Sequence, residues 1–128
     1  MRLLLDTHVL IWAVIDPDRL AASSRRDLSH PDSEVVFSAA SIWEIAVKHA
    51  LGRADFRVPP EDIFAAAVQT GFRELPVTAT VALTVKSLPR HHRDPFDRLL
   101  VAQALAEPAV LLTADRQLLA YSELVRLG

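Results

Sequence analysis

Leu3-Leu4-Leu5-Asp6-Thr7-His8 is the stretch that decides how this chain folds. Three leucines in a row, with no polar alternation, read as a short strand buried on both faces, as strands of a parallel sheet are. The run stops at an acid, and Thr7 to about Val14 then continues as a helix. In open α/β sheets functional groups gather past the carboxyl ends of the strands, which is where Asp6 stands.

The same pattern repeats outward from this stretch. Glu34 to Phe37, ending at Ser38, reads as a second strand and Arg73 to Leu75 as a short third. Val110-Leu111-Leu112-Thr113 reads as a buried fourth, with Asp115 just past its end, and Leu124 to Leu127 as the last. Between them lie helical stretches near Arg19–Ser29, about Ser41–Leu51, from Pro59-Pro60-Glu61-Asp62 to Gly71, Thr78–Ser87 and about Pro95–Glu107. Gly52 and Gly71 stand where C-terminal caps belong. Strands alternating with helices predict an α/β fold, a central and mostly parallel sheet surrounded by helices.

The chain of 128 residues has the usual size of one domain, so residues 1–128 are expected to form a single unit. It contains no cysteine, which removes disulfides, thiolate metal sites and a thiol nucleophile and fits a cytoplasmic protein. Asp6 breaks the first apolar run too early for a signal peptide, and no stretch nears the roughly 20 apolar residues that span a bilayer. No membrane partner is expected. A formal charge of −2 argues against a protein that coats nucleic acid by bulk electrostatics. Local binding of RNA is compatible with it.

Four acids stand where such a fold puts chemistry: Asp6, Glu44, Asp97 and Asp115. Each also has an ordinary structural reading. Asp6 and Asp115 precede helices that they could cap. Ser41-Ile42-Trp43-Glu44 fits a capping box, and Glu44 with Lys48 fits a surface pair four residues apart. Asp94-Pro95-Phe96-Asp97 is a good helix start, with Asp94 as N-cap and Pro95 in the first position. What favours chemistry is convergence. Asp6 and Asp115 share a sheet edge, and Glu44 and Asp97 belong to first turns of helices expected to begin there. Two carboxylates about 4 Å apart repel by roughly 4 kcal/mol at an effective dielectric of 20. Several together need protons or cations, and hard oxygen ligands suit Mg²⁺ or Mn²⁺ working on phosphates. A receiver domain would need paired acids after the first strand, and a dehalogenase-type hydrolase an Asp-x-Asp there. This chain offers Asp6-Thr7-His8 instead.

Four blocks, in order, resemble the PIN-domain family and specifically its VapC-like toxins. They are Leu3–His8, Ser38-Ala39-Ala40-Ser41-Ile42-Trp43-Glu44-Ile45, Asp94-Pro95-Phe96-Asp97-Arg98-Leu99-Leu100-Val101-Ala102-Gln103-Ala104, and Leu112-Thr113-Ala114-Asp115. The resemblance implies a PIN fold and an endoribonuclease dependent on Mg²⁺ or Mn²⁺. It also implies a prokaryotic toxin–antitoxin pair, with RNA as substrate, a small antitoxin partner and usually a homodimer. Carried over by position, Asp6, Glu44 and Asp97 match the core catalytic and metal-binding acids and Asp115 the more variable fourth. Thr7 and Thr113 match hydroxyl positions near the metal. Asp94 is accounted for as an N-cap and stays outside this set. The alternative of another class is a catalytically silent PIN-like module that acts through protein contacts.

His91-His92 lacks the spacing of a zinc site. Flanked by Arg90 and Arg93, the pair reads as a basic lip beside Asp97 that holds RNA phosphate. Arg25-Arg26 is a second basic pair. Trp12 and Trp43 read as helix-packing residues, with a share in a partner interface as the alternative.

Overall fold

The computed structural model describes residues 1–128. Strand β1 covers Arg2–Leu5, β2 Glu34–Ser38, β3 Arg73–Leu75, β4 Val110–Thr113 and β5 Val125–Leu127. Helices α1 (Thr7–Ile15), α2 (Ala22–Ser29), α3 (Ala39–Ala50), α4 (Pro60–Thr70), α5 (Ala79–Thr84) and α6 (Pro95–Ala106) separate them. Short 3₁₀ turns cover Pro17–Arg19, Val85–Ser87 and Arg116–Tyr121. None of the helices is long and apolar enough to cross a membrane.

All five strands are parallel and lie in the order β3-β2-β1-β4-β5. The leucine run is therefore the central strand, covered on both faces. Leu3 and Leu5 enter one core with Val35, Phe37, Leu112 and apolar residues of α1 and α4. Leu4 enters the other with Val36, Leu111 and Leu100, Val101 and Ala104 of α6. The period of two along β1, β2 and β4 divides the side chains between two cores, as a strand buried on both sides requires.

This order places the site. From β1 the chain leaves toward β2, and from β4 it leaves toward β5 on the opposite side. The carboxyl ends of neighbouring β1 and β4 thus flank the crevice where crossovers diverge, the usual ligand position in such sheets. The ladder runs to its rim, since the Asp6 amide donates to Leu112 O at 2.9 Å.

Element boundaries differ from the sequence reading in two instructive places. The polar helix begins at Ala22, not Arg19, because Pro17 opens a 3₁₀ turn first. Helix α3 begins at Ala39, with Ser38 Oγ accepting from the Ala40 amide at 3.0 Å. Ser41 is then inside the helix, and the capping box does not form. Gly71 caps α4 as expected, at φ 97°, in the left-handed region that glycine enters without strain.

Candidate active site

Asp6 follows β1 directly and is 4 % exposed. Its Oδ1 accepts from the Val9 amide at 2.9 Å and so caps α1, as the structural reading predicts. Its Oδ2 accepts from Thr113 Oγ1 at 2.5 Å and from the Ala114 amide at 2.8 Å, both at the end of β4. A buried charge requires such donors. Burial still outweighs them and holds the Asp6 carboxyl above the usual range.

Glu44, in the second turn of α3, is 3 % exposed. Thr7 Oγ1 donates to its Oε1 at 2.6 Å, and the buried Ser41 hydroxyl lies 3.1 Å from the same oxygen of Thr7. Lys48 Nζ reaches Glu44 Oε2 at 2.5 Å. The pair expected on the surface is therefore largely buried, and the ammonium is the counter-charge that lets Glu44 be there.

Asp97 and Asp115 occupy the other wall. Asp94 caps α6 through the Phe96 amide at 2.9 Å, and Pro95 takes the first helical position, which sets Asp97 in the first turn. Asp115 Oδ1 accepts from the Gln117 amide at 2.9 Å, while its Oδ2 faces the cleft. Between the two acids stands His92. Its Nε2 lies 2.9 Å from Asp97 Oδ2 and 3.0 Å from Asp115 Oδ2.

A cleft of about 400 Å³ joins the two walls. Five carboxylates line it, Asp94 with the four already singled out, against two permanent cations, Lys48 and Arg116. The imbalance is felt at Asp97, whose carboxyl is pushed up to about 6. Burial is the main cause, followed by the charge of Asp94, with smaller contributions from Asp6 and Glu44, while His92 opposes them. That Asp6 and Glu44 act on Asp97 from the opposite wall is the electrostatic mark of convergence. An all-oxygen donor set with excess negative charge fits a hard divalent cation.

Of the basic residues named from the sequence, Arg90 and Arg93 are exposed and line an adjoining cleft with His92 and Arg98. His91 is exposed and packs its ring edge-on against Tyr121, 4.9 Å between centroids. His92 lines both clefts, and its ring is turned into the carboxylate cluster, which adds to its expected place on the lip. Neither Arg25 nor Arg26 lines either cleft, and Arg25 lies 3.7 Å from Asp18. Trp12 packs against the core beneath the Arg19 guanidinium, whereas Trp43 is 62 % exposed and touches Phe96.

Arg98 is a residue that sequence reasoning passed over. Its guanidinium donates to the carbonyls of Val85, Leu88, Pro89 and His92 and to Tyr121 Oη, at 3.0–3.4 Å. The His92 amide also donates to Tyr121 Oη, at 3.0 Å. Arg98 therefore holds the loop that carries His92. Nothing local in the sequence signals this, because the partners are carbonyls whose positions depend on the fold.

Residues 3–124 match the PIN domain family. Among curated proteins the chain is similar to ribonuclease VapC22 of Mycobacterium tuberculosis, 32% identical over 116 residues, which cover 90% of this chain and 88% of that one. Among solved structures it is similar to VapBC2 from Rickettsia felis bound to a DNA fragment from their promoter. That likeness has a TM-score of 0.72 at 13% identity, with 100% of this chain and 98% of that chain covered, and so speaks for the fold. With a match that spans nearly every element and a relative aligned over most of both chains, this protein belongs to the PIN-domain family and is VapC-like.

Proposed function

We propose that the chain is a Mg²⁺- or Mn²⁺-dependent endoribonuclease, the toxin of a VapBC-type toxin–antitoxin pair acting in the cytoplasm. One observation carries the reading. Asp6, Glu44, Asp97 and Asp115 come from four separate segments and line one cleft in which negative charge exceeds positive. The name of the mycobacterial relative, a ribonuclease, points the same way.

Asp6 and Asp97 are the principal cation ligands, Asp115 completes the shell directly or through water, and Glu44 binds the ion or orients the attacking water. A bound divalent ion acidifies a water and neutralises charge that builds on the phosphate. The chain supplies the rest. Thr113 and the Ala114 amide fix Asp6, and Thr7 fixes Glu44. Lys48 stands beside Glu44, able to meet a phosphate oxygen once RNA enters. Arg90 and Arg93 hold the flanking backbone at the lip. Water adds to phosphorus and the P–O3′ bond breaks, with a proton going to the departing oxygen. The products carry a 5′-phosphate and a 3′-hydroxyl.

RNA-end mapping after brief incubation with Mn²⁺ tests this. The wild type yields such ends, and Asp97→Asn does not. Equal cleavage by both overturns the assignment, and none by either favours the silent interaction module.

The partners are a small antitoxin and a second copy of the chain. The similar Rickettsia structure is of VapBC2, and this chain has apolar surface to cover. Trp43 and Val47 of α3 and Leu51 at its C-cap recur at every fourth position, forming a stripe that is 38–70 % exposed. Light scattering at micromolar concentration is expected to give a dimer, and a monomer overturns that part.

A further inference from the structure

His92 is the one basic side chain of the loop before α6 that turns into the carboxylate cluster. It adds a chemical element that the acids lack, an imidazole nitrogen. We propose that His92 is a ligand of the cation held by Asp97 and Asp115, and that it biases this position toward Mn²⁺ over Mg²⁺. The inference rests on the metal-dependent reading given above and names a donor outside its acidic set.

Three observations carry it. The first is spacing. Neighbouring ligands of an octahedral cation with bonds of about 2.1 Å are separated by about 3.0 Å, the edge of the octahedron. Nε2 of His92 lies 2.9 Å from Asp97 Oδ2 and 3.0 Å from Asp115 Oδ2, and the three ligand atoms are all within 4.8 Å of one another. A cation can therefore take the place of the ring proton between nitrogen and carboxylates with little movement of any of them.

The second is pre-organisation. The His92 amide is held by Tyr121 Oη and its carbonyl by Arg98, so the backbone is fixed from α6 and from the 3₁₀ turn after β4. A residue meant only to meet passing phosphates has no need of such anchoring, and its neighbours Arg90, His91 and Arg93 are exposed. The third is exclusivity. His8 also lines the cleft, but its Nε2 is turned to Asp55 at 3.0 Å. His92 is the histidine in position to ligate.

The preference follows from ligand chemistry. Mg²⁺ takes carboxylate, carbonyl and water oxygens, whereas imidazole suits later transition metals. Mn²⁺ stands at the boundary, accepting hard oxygens and, more readily than Mg²⁺, a nitrogen. One imidazole among carboxylates keeps the site open to both ions and favours Mn²⁺.

The test is electron spin-echo spectroscopy of the protein loaded with Mn²⁺ alone, which reads directly whether a nitrogen is bound. The wild type and His8→Gln are expected to show imidazole-nitrogen modulation, and His92→Gln to lose it. In parallel titrations His92→Gln should weaken Mn²⁺ binding about tenfold and change Mg²⁺ binding less than about twofold. Mn²⁺ bound without nitrogen modulation in the wild type overturns the role of His92 and leaves the carboxylate site standing. That outcome is readable even where His92→Gln fails to fold. Modulation that survives in His92→Gln overturns it as well. Absence of Mn²⁺ binding to the wild type overturns both this inference and the metal-dependent reading.

Discussion

Asp6 and Glu44 form one wall of the cleft and Asp97 and Asp115 the other, and the two walls are built differently. Asp6 and Glu44 are almost wholly buried, and every carboxylate oxygen of theirs meets a protein donor. They stand on the central strand and on α3, and the core fixes them. Asp97 and Asp115 are more open, with side chains 17 % and 38 % exposed. Each presents one oxygen to His92, on a loop whose place depends on the Arg98 guanidinium. One wall holds negative charge by satisfying it. The other is less well satisfied: burial raises the carboxyls of both Asp6 and Asp97, but at Asp97 the charges of Asp94, Asp6 and Glu44 add to it, with His92 opposing. A cation-binding site benefits from both, because rigid ligands set the geometry and underpaired ones supply the affinity.

The sharpest way to break this comparison is activity. Asp97→Asn removes the least satisfied carboxylate, and cleavage of RNA should fall at least about a hundredfold, some 3 kcal/mol of barrier. A rate within about threefold of wild type, measured at saturating Mn²⁺, would place the chemistry elsewhere.

Metal-linked stability comes next. Mn²⁺ at a hundred times its dissociation constant should stabilise the wild type by about 2.7 kcal/mol, read as a rise in Tm that EDTA reverses. Asp97→Asn should lose most of that rise.

Without metal the two walls should respond in opposite directions. Asp6→Asn presents an amide NH₂ to donors at Thr113 or Ala114, and should cost about 1–3 kcal/mol in urea unfolding. Asp97→Asn relieves repulsion and should add about 1–2 kcal/mol above pH 7. The pH dependence has a definite sign. Asp97 has its carboxyl raised from 3.8 to about 6, so between those values the folded protein holds more of this proton than the unfolded chain. Its contribution is unfavourable, absent below about pH 4 and complete above about pH 6, so stability falls as pH rises through that window. The difference between wild type and Asp97→Asn isolates this group from the acids whose shifts run the other way, such as Glu34 and Asp55. A difference flat from pH 4 to 7 would show that Asp97 carries no unsatisfied charge.

The smallest effect concerns the lip. Arg90→Ala with Arg93→Ala should weaken RNA binding and reduce its log–log salt slope by about one unit or less per lost phosphate contact. Mn²⁺ binding should persist. An unchanged salt slope would move the phosphate contacts to Lys48 or Arg116, the cations of the main cleft.

The acids at the strand ends were legible in the sequence, and the surroundings of the others were less so. An apolar run that ends in an acid declares both the strand and the residue at its tip, so Leu3–Asp6 and Val110–Asp115 could be read directly. The start of α3 was misjudged by two residues, because Ala39 and Ala40 suit a strand end and a helix start equally well. Ser38 settles the matter by accepting from the Ala40 amide. Glu44 was among the expected site residues, but its burial was not legible, because spacing along a helix does not reveal which face is buried and fits a surface pair with Lys48 equally well. His92 was read as part of the lip alone, because the direction of a loop side chain is set by contacts remote in sequence, here Arg98 and Tyr121. Trp43 was expected to pack inside, and its ring lies largely in solvent.

The bond from Thr113 to Asp6 joins residues 107 positions apart, and this orders events during synthesis. On the ribosome the central strand is made before its β4 neighbour, and that edge stays open until about a hundred further residues have followed. Such late pairing is slow, and it leaves an apolar strand exposed to wrong partners in the interval. The same delay leaves every nascent chain that stops short of β4 without Asp115 and without the Thr113 hydroxyl that holds Asp6.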